Sequence, residues 1–422
     1  MGVTIAVTRV ACPTGTGTQD ITTTDLGGLT PKAALFIVNK ATADGSAADH
    51  AVLAIGACTG AANRWSSGGF QEHGQDTTDA GDASSDDYCI FISNMAGGAD
   101  ALADFSAWIT NGVRINWSDA PGAAYLLTVV LFAGSDLSAK AGVISLGDTL
   151  NNAVDVTGVG FEPDVVIASV LASADGEAAN WKTAGNLGFV HNGDSVTQRC
   201  LLKFWRDNQG TSDEALQVRT DGGTGQCFQG SSGLDWYGEF GTFDADGFTV
   251  TTRNAGANNS RLVYLALAFA GAQHAWVGTH TTPTSTGNNS ESGPGFQPQA
   301  VLLIQNLAEA AATAYSDSRA GSFGLSVITA TAQYATSVSS EDGAGTSNTQ
   351  SLSDDQSVQL PDDDGVALLA VTHVSLDASG WTTNYTAVAA AAKLFLGLAI
   401  GAAAGGANLP EFMRSYRQWR VA

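Results

Sequence analysis

The 422-residue chain is short of charge, and of basic charge above all. Lys and Arg number 18 against 41 Asp and Glu, for a formal net charge of -23, and only 14% of residues are charged. Phosphate backbones are gripped by Lys and Arg, so this balance argues against general nucleic-acid binding. An anionic membrane surface would repel the chain as well. The acidity favours solubility and says little about fold. Cysteine is scarce and odd in number: Cys12, Cys58, Cys89, Cys200 and Cys227 contain no CxxC pair. They read as small buried hydrophobes in a reducing compartment. The start, MGVTIAVTRVACP, lacks a charged leader and a long apolar core, so no signal peptide is expected. Ala6 stands where a myristoylation signal wants Ser or Thr.

Catalytic signatures are missing too. HExxH, GxxxxGK[ST] and GxSxG do not occur. The histidines, His50, His73, His191, His274, His280 and His373, hold no metal-ligand spacing. Nothing orients Asp49-His50 and Cys58 as a nucleophilic site. Carboxylates are so plentiful that no pair stands out for glycan cleavage. No cofactor, metal or catalytic residue is expected. Asp244 and Asp246 in DADG resemble the start of a calcium loop. The corresponding stretches read ITNG and DASG, so a hairpin turn is the expectation. Asp362-Asp363-Asp364, with Asp354-Asp355 upstream, reads as a solvated acidic loop, with weak Ca²⁺ binding as the sharper alternative.

Glycine is what the chain has in quantity, 50 residues of it, beside a hydrophobic fraction of 44%. That combination suits a globular chain of strands and turns. Three segments begin alike: Gly28-Leu29-Thr30-Pro31 before AALFIV, Gly160-Phe161-Glu162-Pro163 before VVIASV, and Gly295-Phe296-Gln297-Pro298 before AVLLIQN. The prolines are 132 and 135 residues apart (163 − 31 and 298 − 163). Each precedes a short apolar run that reads as a buried strand, and Pro is tolerated at a strand's entry. Three turn dipeptides follow: Asn111-Gly112, Asp246-Gly247 and Ser379-Gly380. They suit tight hairpins. Closing strands come next: AYLLTVVLFAG, VYLALAFAG and LFLGLAIGA. Landmarks in one order at one spacing, three times over, indicate duplication.

The expected fold is therefore all-β: three tandem homologous β-sandwich or jelly-roll-like units, plus a short C-terminal helix or tail. Both a pseudo-threefold ring and an extended array suit such units. The boundaries fall at 1–140, 141–275, 276–404 and 405–422. On hydropathy alone, residues 387–404 resemble a transmembrane helix. Their alignment with two shorter strands makes Leu394–Ile400 the last buried strand, and no membrane insertion is expected. The stretches 71–87, 219–233, 339–356 and HTTPTSTGNNSESGPG, ending at Gly295, read as loops, where recognition is usually placed. Trp65, Trp108, Trp117, Trp181, Trp205, Trp236, Trp276 and Trp381 are scattered through the units. Trp117 and Trp381 read as core; Trp65 and Trp236, beside Gly/Ser loops, are the better candidates to face a sugar, although packing is favoured there too.

The tail breaks the acidic balance. In ANLPEFMRSYRQWRVA, Phe412, Tyr416 and Trp419 fall on one helical stripe, with Arg414, Arg417 and Arg420 on a neighbouring face. Two readings stand side by side: an anchor that docks into a partner, and a tail packed on its own third unit.

The Gly-Phe-x-Pro entry, the Asp246-Gly247-Phe248-Thr249 hairpin and the Ala-rich closing strand resemble repeats of tailed-bacteriophage virion proteins. Unit one departs most, with Leu29 in place of Phe and Asn111-Gly112-Val113 at the hairpin. The resemblance implies a surface-displayed structural role on head or tail, as fibre, spike or decoration, with no catalytic residue carried over. Its partners would be other virion proteins and a host surface glycan, in a homo-oligomer or symmetric assembly formed in the host cytoplasm. A carbohydrate-binding adhesin array is the alternative, and a glycan-degrading enzyme ranks below both.

Overall fold

The computed structural model describes residues 2–95, 98–146, 149–171, 176–178, 183–227, 234–253, 261–270, 273–311, 316–317, 321–362 and 364–402. Among these the chain is nearly all strand; the helical residues are one 3₁₀ turn, Thr24–Leu26. The first eleven strands are β1 (Thr4–Ala11), β2 (Gly17–Thr22), β3 (Pro31–Asn39), β4 (Ala48–Asp49), β5 (Ala51–Gly60), β6 (Asn63–Gln71), β7 (Ala80–Ser85), β8 (Ile90–Ser93), β9 (Ala99–Ile109), β10 (Gly112–Asp119) and β11 (Leu126–Ala133). Next come β12 (Leu137–Ser145), β13 (Ala153–Val156), β14 (Val165–Leu171), β15 (Gly176–Ala178), β16 (Thr183–Asn192), β17 (Val196–Trp205), β18 (Glu214–Arg219), β19 (Thr224–Cys227), β20 (Leu234–Asp244), β21 (Gly247–Arg253) and β22 (Arg261–Phe269). The last are β23 (Gln273–Thr281), β24 (Gly287–Glu291), β25 (Pro298–Asn306), β26 (Ser316–Asp317), β27 (Gly321–Thr329), β28 (Gln333–Ser340), β29 (Thr349–Asp354), β30 (Val358–Pro361), β31 (Ala367–Asp377), β32 (Gly380–Ala387) and β33 (Leu394–Ala402).

These strands form three seven-stranded and three four-stranded antiparallel sheets. The large sheets run β1-β11-β3-β5-β6-β7-β15, β12-β22-β14-β16-β17-β18-β26 and β23-β33-β25-β27-β28-β29-β4. The small ones run β2-β10-β9-β8, β13-β21-β20-β19 and β24-β32-β31-β30. The seventh strand of each large sheet comes from a distant part of the chain: β15 pairs with β7, β26 with β18, and β4 with β29. An edge that would template foreign strands is thereby covered.

Each large sheet is apolar on both faces, and this explains the near-continuous hydrophobic runs of its central strands. One face packs on a small sheet, giving a sandwich-like pair whose core holds Phe36, Trp117 and Leu131 in the first case. The second pair encloses Phe240, Phe248 and Tyr264, and the third Trp381, Tyr385 and Phe395. The opposite faces of all three large sheets meet in one shared core that includes Leu35, Phe132, Ile167, Phe189, Leu302 and Phe323.

The apolar runs after Pro31, Pro163 and Pro298 are β3, β14 and β25. Gly28, Gly160 and Gly295, which open those motifs, have φ of 90°, 84° and 70°, a left-handed turn that suits glycine. Leu394–Ala402 is β33, hydrogen-bonded between β23 and β25. No helix among the described residues is long and apolar enough to cross a membrane.

The loop assignments need correction. The stretches 71–87, 219–233 and 339–356 contain β7, β19 and β29, and the polar stretch ending at Gly295 contains the end of β23 and all of β24. Thr349–Asp354 is buried at every position although its sequence is TQSLSD. Its polar side chains bond neighbouring strands instead of water, so no apolar alternation betrays it. β24 is an exposed edge strand paired with β32 and needs no apolar face. The boundaries expected at 140/141 and 275/276 fall within β12 and β23, which pair with β22 and β33. The C-terminal helix or tail expected at 405–422 lies outside the described residues.

Candidate functional site

Three loops that follow β6, β17 and β28 bond one another in a cycle. Thr78 N donates to Gln209 O (2.9 Å) and Asn208 N to Thr78 O (2.7 Å). Ser212 N donates to Ala344 O (2.9 Å) and Gly343 N to Ser212 O (2.9 Å). Ser347 N donates to Gln75 O (2.8 Å) and Gly74 N to Ser347 O (2.7 Å). The hydroxyls repeat the cycle. Thr78 Oγ1 donates to Arg206 O, Ser212 Oγ to Glu341 O and Ser347 Oγ to Glu72 O, at 2.7, 2.7 and 2.6 Å. Each hydroxyl also accepts one backbone N–H, from Gln209, Ala344 and Gln75 respectively. All three hydroxyl residues are buried. Buried backbone groups need partners, and here each loop supplies those of the next. The sequence signal was available but unread: a hydroxyl residue at 78, 212 and 347, spaced 134 and 135 (212 − 78 and 347 − 212).

Beneath this clasp lies a buried charged cluster. Lys203 Nζ, on β17, donates to Glu214 Oε2 (2.6 Å) and to Ser340 Oγ (2.5 Å). Ser340 Oγ donates to Glu214 Oε2 (2.7 Å), and Trp205 Nε1 donates to Ser340 Oγ (3.1 Å). Lys203 and Glu214 are both fully buried. Burial holds the Lys203 ammonium below its ordinary pKa and pushes the Glu214 carboxyl up, each opposed by the other's charge. The cluster ties the second large sheet to the third. The third is tied to the first by Asn39, whose Nδ2 donates to Ser337 O and Leu352 O, both at 2.9 Å. The first is tied to the second by Trp65 Nε1, which donates to Tyr264 O (2.8 Å).

Trp65 is wholly buried, which agrees with the packing favoured for it and leaves its indole no face for a sugar. Trp117, Trp205 and Trp381 are buried as well; Trp108 and Trp276 pack half-buried on cores. The side chains of Trp181 and Trp236 lie outside the described residues, as do Phe412, Arg414, Tyr416, Arg417, Trp419 and Arg420 of the tail.

The carboxylates and histidines are largely engaged in turns and ladders. Asp246 accepts from Gly158 N and Gly160 N at 3.0 and 2.9 Å, which fastens the hairpin to the preceding motif. Asp362 Oδ1 accepts from Asp364 N and Val366 N. His73 N donates to His50 Nδ1, and Thr349 N to His73 Nδ1, both at 3.1 Å. His280 bridges Glu291 and Tyr385, at 3.0 Å to each. His191 and His274, far apart in sequence, line one cleft with Glu162, Asp164 and Asp194. Burial, then the neighbouring His274, holds His191 below its ordinary pKa. Among the described residues, no group of three or more His, Cys, Asp or Glu is placed to hold a metal ion. No family model matches the chain, and no curated protein matches it in sequence.

Proposed function

We propose that the chain comprises three tandem homologous β-sandwich units closed about a pseudo-threefold axis, and that it serves as a non-enzymatic, surface-displayed structural component of a bacteriophage virion. The observation that carries this reading is the clasp of Thr78, Ser212 and Ser347, in which one bonding pattern recurs three times and returns on itself. The same cyclic sense governs the exchanged strands β15, β26 and β4. One chain thereby has the three-sided form that a homotrimer would otherwise build. The acidic, neutral-polar surface suits a displayed particle component, and the partners it implies are other head or tail proteins. The resemblance of the Gly-x-x-Pro and Asp-Gly-Phe-Thr motifs to tailed-phage repeats supports the virion assignment.

The test is location. Particles of the phage that encodes the chain, purified free of lysate, are expected to contain it in stoichiometric amount, and antibody labelling in electron micrographs is expected to mark head or tail. A chain abundant in the lysate and missing from the particles would overturn the assignment.

A further inference from the structure

We propose that Cys58 and Cys89 form an oxidative cross-link site, a disulfide that joins the first large sheet to the segment leading into its small sheet. Both thiols are fully buried in the core between those sheets, and both are free here. Cys58 lies on β5; Cys89 sits just before β8, at the end of the turn 86–88.

The approach of the two segments is close. A Cβ added at Gly56 would fall 1.9 Å from Cys89 O, so glycine is required there. Alternation along a strand places Cys58, two residues on, on the same face as that Cβ. The second sheet pair repeats the arrangement: a Cβ at Gly188 would fall 1.8 Å from Gly223 O. Gly188 and Gly223 thus stand where Gly56 and Cys89 stand, and Val190 where Cys58 stands. A Cβ added at Gly223 would lie 2.5 Å from Val190 Cγ2. The side-chain bonds at these two positions therefore point at each other across the layers, the disposition a disulfide needs. In the first pair Cys58 is near enough to Cys89 to raise its thiol, and Cys89 Sγ donates to Ala103 O (3.4 Å). Burial pushes the Cys89 thiol well up, followed by its contact with Cys58. Oxidation is accordingly slow in the closed fold and proceeds when the turn at 86–88 opens.

With oxidised glutathione as oxidant the reaction balances. One cysteine thiolate attacks the glutathione disulfide and expels one glutathione thiolate. The second cysteine thiolate then attacks the mixed disulfide and expels the other. Both cysteine protons end on the two glutathione thiols, and the protein gains one S–S bond.

The test uses the full chain, incubated folded with oxidised glutathione, then unfolded in maleimide and mapped by peptide mass. The expected result is loss of two of the five alkylatable thiols, recovery of a linked Cys58–Cys89 peptide, and a higher melting temperature that reductant reverses. The Cys89→Ala chain is expected to lose no pair, and the Cys12→Ala chain to lose the same pair as the parent. Should Cys89→Ala fail to fold, the parent's peptide map decides alone. Five alkylated thiols after oxidation, or a disulfide joining any other pair, would overturn the proposal.

Discussion

A hydroxyl group can hold a fold together only where its partners have no alternative, and Thr78, Ser212 and Ser347 are so placed. Each satisfies one carbonyl and one N–H of the next loop from a buried position. Removing a hydroxyl strands both, so Thr78→Val, Ser212→Ala and Ser347→Ala should each cost about 1–3 kcal/mol in denaturant melts. Similar costs at all three positions are expected of a cyclic clasp; a cost confined to one would count against it. Lys203 and Glu214 differ, because burial opposes their charges as strongly as pairing supports them. Lys203→Met alone should cost about 3–5 kcal/mol, whereas Lys203→Met with Glu214→Leu should recover most of that loss. A double-mutant cycle measures the coupling directly. Asp354 adds a pH dependence. Burial and the adjoining Asp355 push its carboxyl up to about 6, so the folded chain takes a proton there before the unfolded chain does. Stability should therefore rise as pH falls through that value, down to the ordinary carboxyl range, and be lost again as pH rises. Asp354→Asn should flatten this part of the profile and be no less stable than the parent above it.

At the scale of elements, the hairpin glycines have a sharper role than turn chemistry. A Cβ added at Gly112, Gly247 or Gly380 would lie 2.0, 1.8 or 1.8 Å from the carbonyl oxygen of Ile21, Val156 or Glu291. Those carbonyls belong to β2, β13 and β24, the edge strands that pair with β10, β21 and β32. Substituting Ala at any of the three should push its edge strand away at a cost of about 1–3 kcal/mol. Faster amide exchange in that strand alone, with the large sheets unchanged, is the expected signature. The same comparison explains what could be read from the residues. β3, β14, β25 and β33 are legible because both of their faces are buried in apolar cores, which demands Val, Ile, Leu and Phe in a row. β29 reads as a loop because its Thr349, Ser351 and Ser353 hydroxyls bond across the junction to Gln71, His50 and Asn39 in place of apolar contacts, and β7 because AGDASS carries no large apolar residue. Trp65 stands beside Ser66 and Ser67, which suggest a neighbouring loop, yet those small neighbours are themselves buried with it. The clasp was hidden for a further reason: a lone Ser or Thr in a polar loop carries no local signal, and only the spacing of three of them does.

For the molecule as a whole, closure makes a prediction that an open array does not. β11 passes to β12 through residues 134–136, and β22 to β23 through residues 270–272. β1 pairs with β11 as β12 pairs with β22 and β23 with β33. If the three sheet pairs close evenly, the end of β33 at Ala402 and the start of β1 at Thr4 are separated as those strand ends are, and three residues suffice to join them. A chain permuted in this way, opened between Ser135 and Asp136 and lacking residues 403–422, should fold. Chain ends at such exposed turns disturb few buried groups, and permutation succeeds at sites of this kind. Its melting temperature should fall within a few degrees of an unpermuted chain ending at Ala402, the control that isolates the effect of removing the tail. A second permutant with a long flexible joint separates the remaining possibilities. If it folds and the three-residue joint does not, the first and third sheet pairs stand farther apart than the other neighbours, and the even ring is wrong. If both fold with equal stability, the short joint spans the same gap that the chain itself crosses at 134–136 and 270–272, as expected of one sandwich repeated around an axis.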